Sequence, residues 1–323
     1  MWGPSGVTPN DIAQGSVGNC WVMVAFSALA EFPERIHKIF HNTRRSESGV
    51  YGLNLYALGV PFTTYVDDQV PFYSRNNLLF AQVGSDKALW GPILEKAIAK
   101  LVGNYWHMDA GVNTDGVGML NGGPHYYIRH YGSFVEDPDT FWEHIKNHDR
   151  SRQIITSKTN ANPGDMLVAS HSYLVLDQLE LESGVRLLLM RNPWGREEYI
   201  GAWGDGDRRW TSTQMRQREI PENNDGLFYI SVEDYLEHMD LTFINYDTSD
   251  WFHAYFMMWD DPEERLEEPF KPTVWCGRGC TQHRLFVKSS VKQSVRIGGH
   301  VYRFYTYPDA KGQCPVRYND PQL

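Results

Sequence analysis

The chain has 323 residues, 41% of them hydrophobic and 14% aromatic, enough to bury a sizeable core and to fill two or three domains. A formal net charge of −10 argues against nucleic acid or an anionic membrane as the main partner. It leaves cations, calcium included, among the ligands that the charge favours, although solubility alone accounts for the same balance. The opening MWGPSGVTPN lacks the basic and apolar stretches of a secretory leader, and the longest apolar run, Trp21 to Ala30, reads as a buried helix rather than a transmembrane segment. Of four cysteines, Cys20 stands alone in the first 275 residues, while Cys276, Cys280 and Cys314 fall late. That pattern predicts a reduced, cytoplasmic protein with one thiol set apart.

In chain order, Cys20 to Phe32 (CWVMVAFSALAEF) is apolar on nearly every face and predicts a buried helix stopped by Pro33. Gly91 to Val102 carries Ile93, Leu94, Ala97, Ile98 and Leu101 at helical spacing, with Pro92 in the first turn. Ala110 to Gly123 holds five glycines and predicts a linker or hinge. A short helix is expected over Asp139 to Asn147, with Asp139 near its N-cap. Met166 to Leu181 and Val185 to Arg191 predict a hairpin turning at Ser183-Gly184. Pro193 to Asp225 reads as irregular loop, and Leu227 to Val232 and Leu241 to Tyr246 as strands. After Asp247 the texture changes, with short strand-like runs at Arg284 to Lys288 and Val301 to Tyr307.

Three residues suggest nucleophilic chemistry. Cys20 follows Gln14-Gly15-Ser16-Val17-Gly18-Asn19 and begins a helix, where the positive end of the dipole favours a thiolate. The Gln14 amide and the Cys20 backbone N–H are candidate donors of an oxyanion hole. A lone buried cysteine is otherwise inert. His171 sits in Ser170-His171-Ser172-Tyr173 at the start of the first hairpin strand, and Asn192 ends the second, before Pro193-Trp194-Gly195. A turn centred on Ser183 sets Asn192 opposite Leu174, roughly 10 Å along the backbone from His171 at about 3.3 Å per residue. Cys, His and Asn together make a nucleophile, a general base and an orienting group, although Asn-Pro alone is also a plain turn signal.

The strings DIAQGSVGNCW, SHSY and RNPWG, with ALWGPILEKAIAKLVGNY and DGLFYISVEDYLEH, resemble the calpain protease core in that family's own order, over about residues 6 to 246. The resemblance implies an α+β, papain-like fold split into a helical subdomain with Cys20 (1–120) and a β-rich subdomain with His171 and Asn192 (121–247). Residues 248–323 form a β-rich region that resembles the start of the calpain β-sandwich domain. It implies a calcium-dependent cysteine endopeptidase acting on protein substrates, with regulatory domains or partners outside this chain. In that frame Gln14 serves the oxyanion and Trp194 shields the His171–Asn192 hydrogen bond. The implied calcium ligands are Asp11 and Glu95 with the carbonyls of Pro4 and Gly6, then Glu198, Asp205 and Asp225 with the carbonyl of Asn223. Oxygen donors with several carboxylates suit that ion. On the residues alone, Glu95 on its amphipathic helix reads as a solvated charge. The chain departs from the family at Asn19, where Asp is usual, and at Leu227, where an acid is usual, which weakens the second ion site.

Three other readings compete. A transglutaminase needs Asp as its third member, which Asn192 is not. An inactive calpain-like adaptor is expected to have lost one of Cys20, His171 and Asn192. Cys276, Cys280, His283 and Cys314 offer zinc ligands at no standard finger spacing, and free reduced thiols explain them as well.

Overall fold

The computed structural model describes residues 1–248 except 43, 58, 76, 85–86, 132–136, 165, 197–198 and 215–223, and beyond them four strands after residue 250. A 3-10 turn, Pro9–Asp11, leads to α1 (Cys20–Ala30), in which every residue from Trp21 onward is buried, as its all-round apolar sequence requires. Pro33 ends the turn after α1 and also opens α2 (Pro33–His37), since a residue without an N–H is best placed at a helix start. The strands β1 (Val50–Ala57) and β2 (Val60–Asp67) form an antiparallel hairpin, and β3 (Phe72–Ser74) and β4 (Asn77–Leu78) a shorter one. Helix α3 (Trp90–Val102) turns Ile93, Leu94, Ala97 and Ile98 inward and stops at Gly103, whose φ of 113° suits glycine.

Two expectations are corrected here. The glycine-rich stretch is no linker, because its middle is helix α4 (Asn113–Asn121). Its glycines other than Gly118 serve close packing: a Cβ on Gly116 would lie 2.5 Å from the Trp21 carbonyl oxygen of α1. Gly122, at φ 64°, ends the helix in the left-handed conformation. After β5 (His125–Arg129), helix α5 (Pro138–Arg150) is longer than expected at both ends. Its cap is Asp137 rather than Asp139, accepting from the N–H groups of Asp139 and Thr140 with Pro138 in the first turn.

The remaining strands are β6 (Ile154–Thr159), β7 (Ser172–Glu180), β8 (Arg186–Arg191) and β9 (Leu227–Ser231). Helix α6 (Val232–His238) and β10 (Met239–Asn245) complete the part that holds the predicted site. The sheet runs β5-β10-β6-β7-β8-β9, with each neighbouring pair antiparallel. The β7–β8 hairpin turns where the sequence predicts, and Glu180 pairs with Arg186. A bulge between Val175 and Asp177 then shifts the register, so Leu174 faces Arg191 and Asn192 lies one residue past the expected pairing. Later in the chain β11 (Trp251–Met257) pairs with β12 (Gln282–Lys288), and β13 (Val291–Ile297) with β14 (His300–Thr306). The strand-like runs at Arg284 and Val301 fall on β12 and β14.

Helices and an antiparallel sheet thus make an α+β fold. One hydrophobic cluster gathers α1 to α4 with β1, and takes in Ile154 and Leu174 from the sheet. A second lies between the sheet, α5 and α6, and a smaller third joins Leu179, Leu181, Leu187, Trp210 and Tyr229. Among the described residues, no helix is long and apolar enough to cross a membrane.

Candidate active site

Helix α1 meets the sheet through β7 and β6 and is flanked by α4. Asn113 of α4 makes that junction specific. Its Nδ2 donates to Thr156 Oγ1 and the Ser157 carbonyl, both at 3.1 Å, and its Oδ1 accepts from Ser172 Oγ at 2.7 Å. Ser172 is the neighbour of His171, and Gly116, one turn on from Asn113, touches Trp21, the neighbour of Cys20. The polar side chain of Asn113 is buried, yet its amide is used on both sides, which is the condition for placing it there.

His171 is held before its ring is considered. Its N–H donates to Thr159 Oγ1 at 2.9 Å and its carbonyl accepts the Thr159 N–H at 2.9 Å. Ser170, just before it, stands at φ 51°, a conformation unusual for serine, fixed by its N–H on the Asn160 carbonyl. The ring's Nε2 lies 3.0 Å from Asn192 Oδ1, and both side chains are buried. The Asn192 oxygen also accepts the Trp194 N–H at 3.0 Å. A backbone N–H only donates, so this atom is an acceptor and the Nε2 facing it carries the proton. In the neutral imidazole the bare nitrogen is therefore Nδ1. The Trp194 ring lies 4.7 Å from the imidazole, centroid to centroid. Burial pushes His171 down to about 4, with the hydrogen bond to Asn192 opposing.

The neighbour of Asn192 joins the two sides. Arg191 is buried, and its guanidinium donates to Asn10 Oδ1 at 3.0 Å, to Ser27 Oγ of α1 at 3.0 Å and to the Ile12 carbonyl at 2.7 Å. Gln14 N–H reaches the Pro193 carbonyl at 2.9 Å, and Asn192 N–H the Gly226 carbonyl at 2.8 Å. The Gln14 side chain donates to the Val17 carbonyl at 2.8 Å, which leaves its second amide hydrogen for another acceptor. Gly15 admits no side chain, since a Cβ would fall 1.9 Å from the Phe80 carbonyl oxygen. Cys20 is a free, half-buried thiol at the first position of α1.

Residues 2–245 match the family described as calpain family cysteine protease. The chain belongs to that family. Similar proteins include calpain-12 of Mus musculus, 29% identical over 245 residues, covering 71% of this chain and 33% of that protein. Calpain-5 of Mus musculus is 29% identical over 264 residues, covering 71% and 41%. The calpain-2 catalytic subunit of Gallus gallus is 27% identical over 249 residues, covering 72% and 35%. The chain therefore matches about a third to two fifths of the length of these calpains.

The carboxylates implied as calcium ligands by this kinship have partners within the protein. Among the described residues no group of three or more His, Cys, Asp or Glu side chains stands together. Asp11 Oδ2 accepts from Trp90 Nε1 at 2.7 Å and from the Thr8 N–H at 2.9 Å. Glu95 is buried rather than solvated, correcting the helix-face reading. Its Oε1 accepts from Asn19 Nδ2 at 2.8 Å and its Oε2 from the Ala81 N–H at 2.9 Å. Burial pushes its carboxyl up to about 7 against those two bonds. As arranged, both Glu95 oxygens and Asp11 Oδ2 bond to protein donors. That arrangement gives Asn19 a reason: an amide donates to Glu95, where the family's Asp would set carboxylate against carboxylate. Gly6 bonds back to the Gly3 carbonyl as part of a turn with Pro4. Asp225 Oδ1 accepts the Leu227 N–H at 3.0 Å, and Asp205 lies in a turn, whereas Glu198 and Asn223 fall outside the described residues. The late cysteines 276, 280 and 314 fall outside them too.

Asn113 and Arg191 escaped sequence reasoning. Asn113 carried no signal, lying within the supposed linker. Arg191 had one, a charge closing the apolar run Leu-Leu-Leu-Met.

Proposed function

We propose that this chain is an endopeptidase with Cys20 as nucleophile, His171 as base and Asn192 as orienting residue. The observation that carries the reading is the buried His171–Asn192 hydrogen bond, whose second acceptor contact with Trp194 N–H fixes the imidazole tautomer. Nδ1 is then the nitrogen that takes the thiol proton. The Cys20 sulfur bonds to the substrate carbonyl carbon, His171 returns the proton to the departing amine, and a thioester remains. Water adds to that thioester with His171 again as base, releasing the acid and the thiol. Gln14's remaining amide hydrogen and the Cys20 N–H serve the carbonyl oxygen as it gains charge. Trp194 covers the His171–Asn192 bond and keeps water from competing for it. The chain divides for this purpose into 1–120, 121–247 and 248–323, with the cleft between the first two. A free thiol nucleophile also suits a reducing, cytoplasmic setting.

Calcium enters as regulation and not as a step. An ion shared by Asp11 and Glu95 would compete with Trp90 and Thr8 at Asp11 and with Asn19 and Ala81 at Glu95. Peptide hydrolysis in added calcium against excess chelator tests this, and equal rates would remove the ion from the account. The protease reading is tested by an epoxide thiol inhibitor, with the labelled residue located by mass spectrometry. Label on Cys20, abolished by prior alkylation and absent from Cys20→Ser, supports it. A folded chain that takes no label at Cys20 is the inactive adaptor instead.

A further inference from the structure

Strand β5 is an edge strand, separated from β7 and His171 by β10 and β6. Helix α5 packs against β6 and reaches β5 through His144 and His148, four positions apart and hence on one face of the helix. Tyr126 of β5 places its hydroxyl oxygen 2.7 Å from His144 Nε2 and 2.6 Å from His148 Nε2. The two imidazole centroids are 4.9 Å apart. A phenol has one hydrogen to give, so it donates to one ring, and the other ring must donate to it. Two nitrogens thus converge on one oxygen, and none of the three side chains is fully buried.

We propose that His144, His148 and Tyr126 bind a divalent transition-metal ion of the zinc, copper or nickel class, clamping α5 to the sheet edge. Two imidazole nitrogens exclude calcium and magnesium, which select oxygen, and suit the later first-row metals. In a tetrahedral site with bonds near 2.0–2.1 Å the ligand atoms lie about 3.3 Å apart, so each N–O spacing opens by about 0.6 Å to admit the ion. Side-chain torsions of partly exposed residues supply that movement without disturbing Phe141 and Ile145, which anchor α5 in the core. The proton balance is simple. The ring that donated through Nε2 loses that hydrogen and takes one from solvent on Nδ1, a change of tautomer, and the phenolic proton leaves to solvent as the oxygen becomes a ligand. Water completes the shell. The site is independent of the protease reading and needs neither Cys20 nor His171.

Zinc titration of the full chain, followed by calorimetry, tests the assignment. Thiols elsewhere also take zinc, so the quantity read is the difference between proteins. Wild type is expected to bind one equivalent more than either His144→Gln or His148→Gln, and Tyr126→Phe to bind that equivalent at least tenfold more weakly. Zinc should raise the melting temperature of wild type by several degrees more than that of His148→Gln. Gln keeps a polar group beside Tyr126, and equal circular dichroism and equal metal-free melting temperatures establish that the variants fold. Cobalt in place of zinc gives a second readout, a visible d–d band lost in both histidine variants. Equal stoichiometry in wild type and both variants overturns the proposal and leaves the pair as hydrogen-bond partners of Tyr126. Undiminished affinity in Tyr126→Phe overturns the three-ligand site.

Discussion

Glu31 closes α1, and replacing it by glutamine should stabilise the protein in a pH-dependent way. Burial pushes its carboxyl up from the ordinary 4.5 to about 7, with Arg35 opposing and Asp149 and Asp177 adding to the rise. The negative end of α1 works in the same direction. A carboxyl raised on folding supports the fold fully below pH 4.5 and loses that support as pH climbs through 7. The gap corresponds to about 3 kcal/mol of destabilisation above pH 7 and about 2 kcal/mol at pH 6. Glu31→Gln removes the charge while keeping the shape. It should gain about 3 kcal/mol at pH 8, or roughly 6–12 °C in melting temperature for a protein of this size, and almost nothing at pH 4.5. Thermal and urea unfolding followed by circular dichroism at pH 4.5, 6 and 8 measure this. An equal gain at all three, or a loss at pH 8, refutes the reasoning. Opposing it on the acid side are His130 and His171, pushed down by burial from 6.5 to about 4. Their support is complete above pH 6.5 and is lost as pH falls toward 4. The two ranges overlap, so with two histidines set against one carboxyl wild-type stability should peak near the upper end of the overlap, about pH 6.5, and the variant should hold its maximum to higher pH.

Asn192→Ala should lower kcat by ~10²–10⁴ with little change in KM, because His171 loses its fixed tautomer but remains present; an unchanged kcat removes Asn192 from the site. Gly15→Ala should lower kcat/KM at least tenfold, since the new methyl group must displace the Phe80 backbone and with it the loop carrying Gln14. Full activity would mean that this loop does not position anything that matters. Arg191→Met leaves three acceptors without their donor and should cost about 3 kcal/mol, at roughly 1 kcal/mol each, in urea unfolding. A double-mutant cycle with Ser27→Ala should show coupling of about 0.5 kcal/mol or more, and strict additivity would count against the Arg191–Ser27 contact.

What was legible in the sequence was whatever rests on periodicity and short-range order. The all-apolar run of α1, the stripe of α3 and the Ser183 turn were all placed from residues close in the chain. His171 and Asn192 came within one residue of their true pairing, and the miss has a single cause. The bulge near Leu176 inserts a residue on one strand, and nothing local announces it. The glycines of 110–123 misled because glycine has two uses, freedom and closeness. Only the Trp21 backbone, 95 residues earlier, reveals that Gly116 serves the second. Glu95 misled in the same way, since its helix shows a polar position while Asn19 and Ala81 arrive from elsewhere to bury it. The β1–β2 hairpin was passed over because Leu58-Gly59 is a weaker turn signal than the glycine and proline clusters around it.

The grip of Arg191 on Asn10, Ile12 and Ser27 joins positions 181, 179 and 164 residues apart, and Asn192 in turn hangs from Gly226. During synthesis the residues around Cys20 emerge long before the strand that must complete their surroundings. On the proposed protease reading, a chain made only as far as β8 holds Cys20 without an oriented histidine, because Asn192 is not fixed until Gly226 is present. Under that reading, the order of synthesis withholds any chemistry at Cys20 until the fold around it is complete.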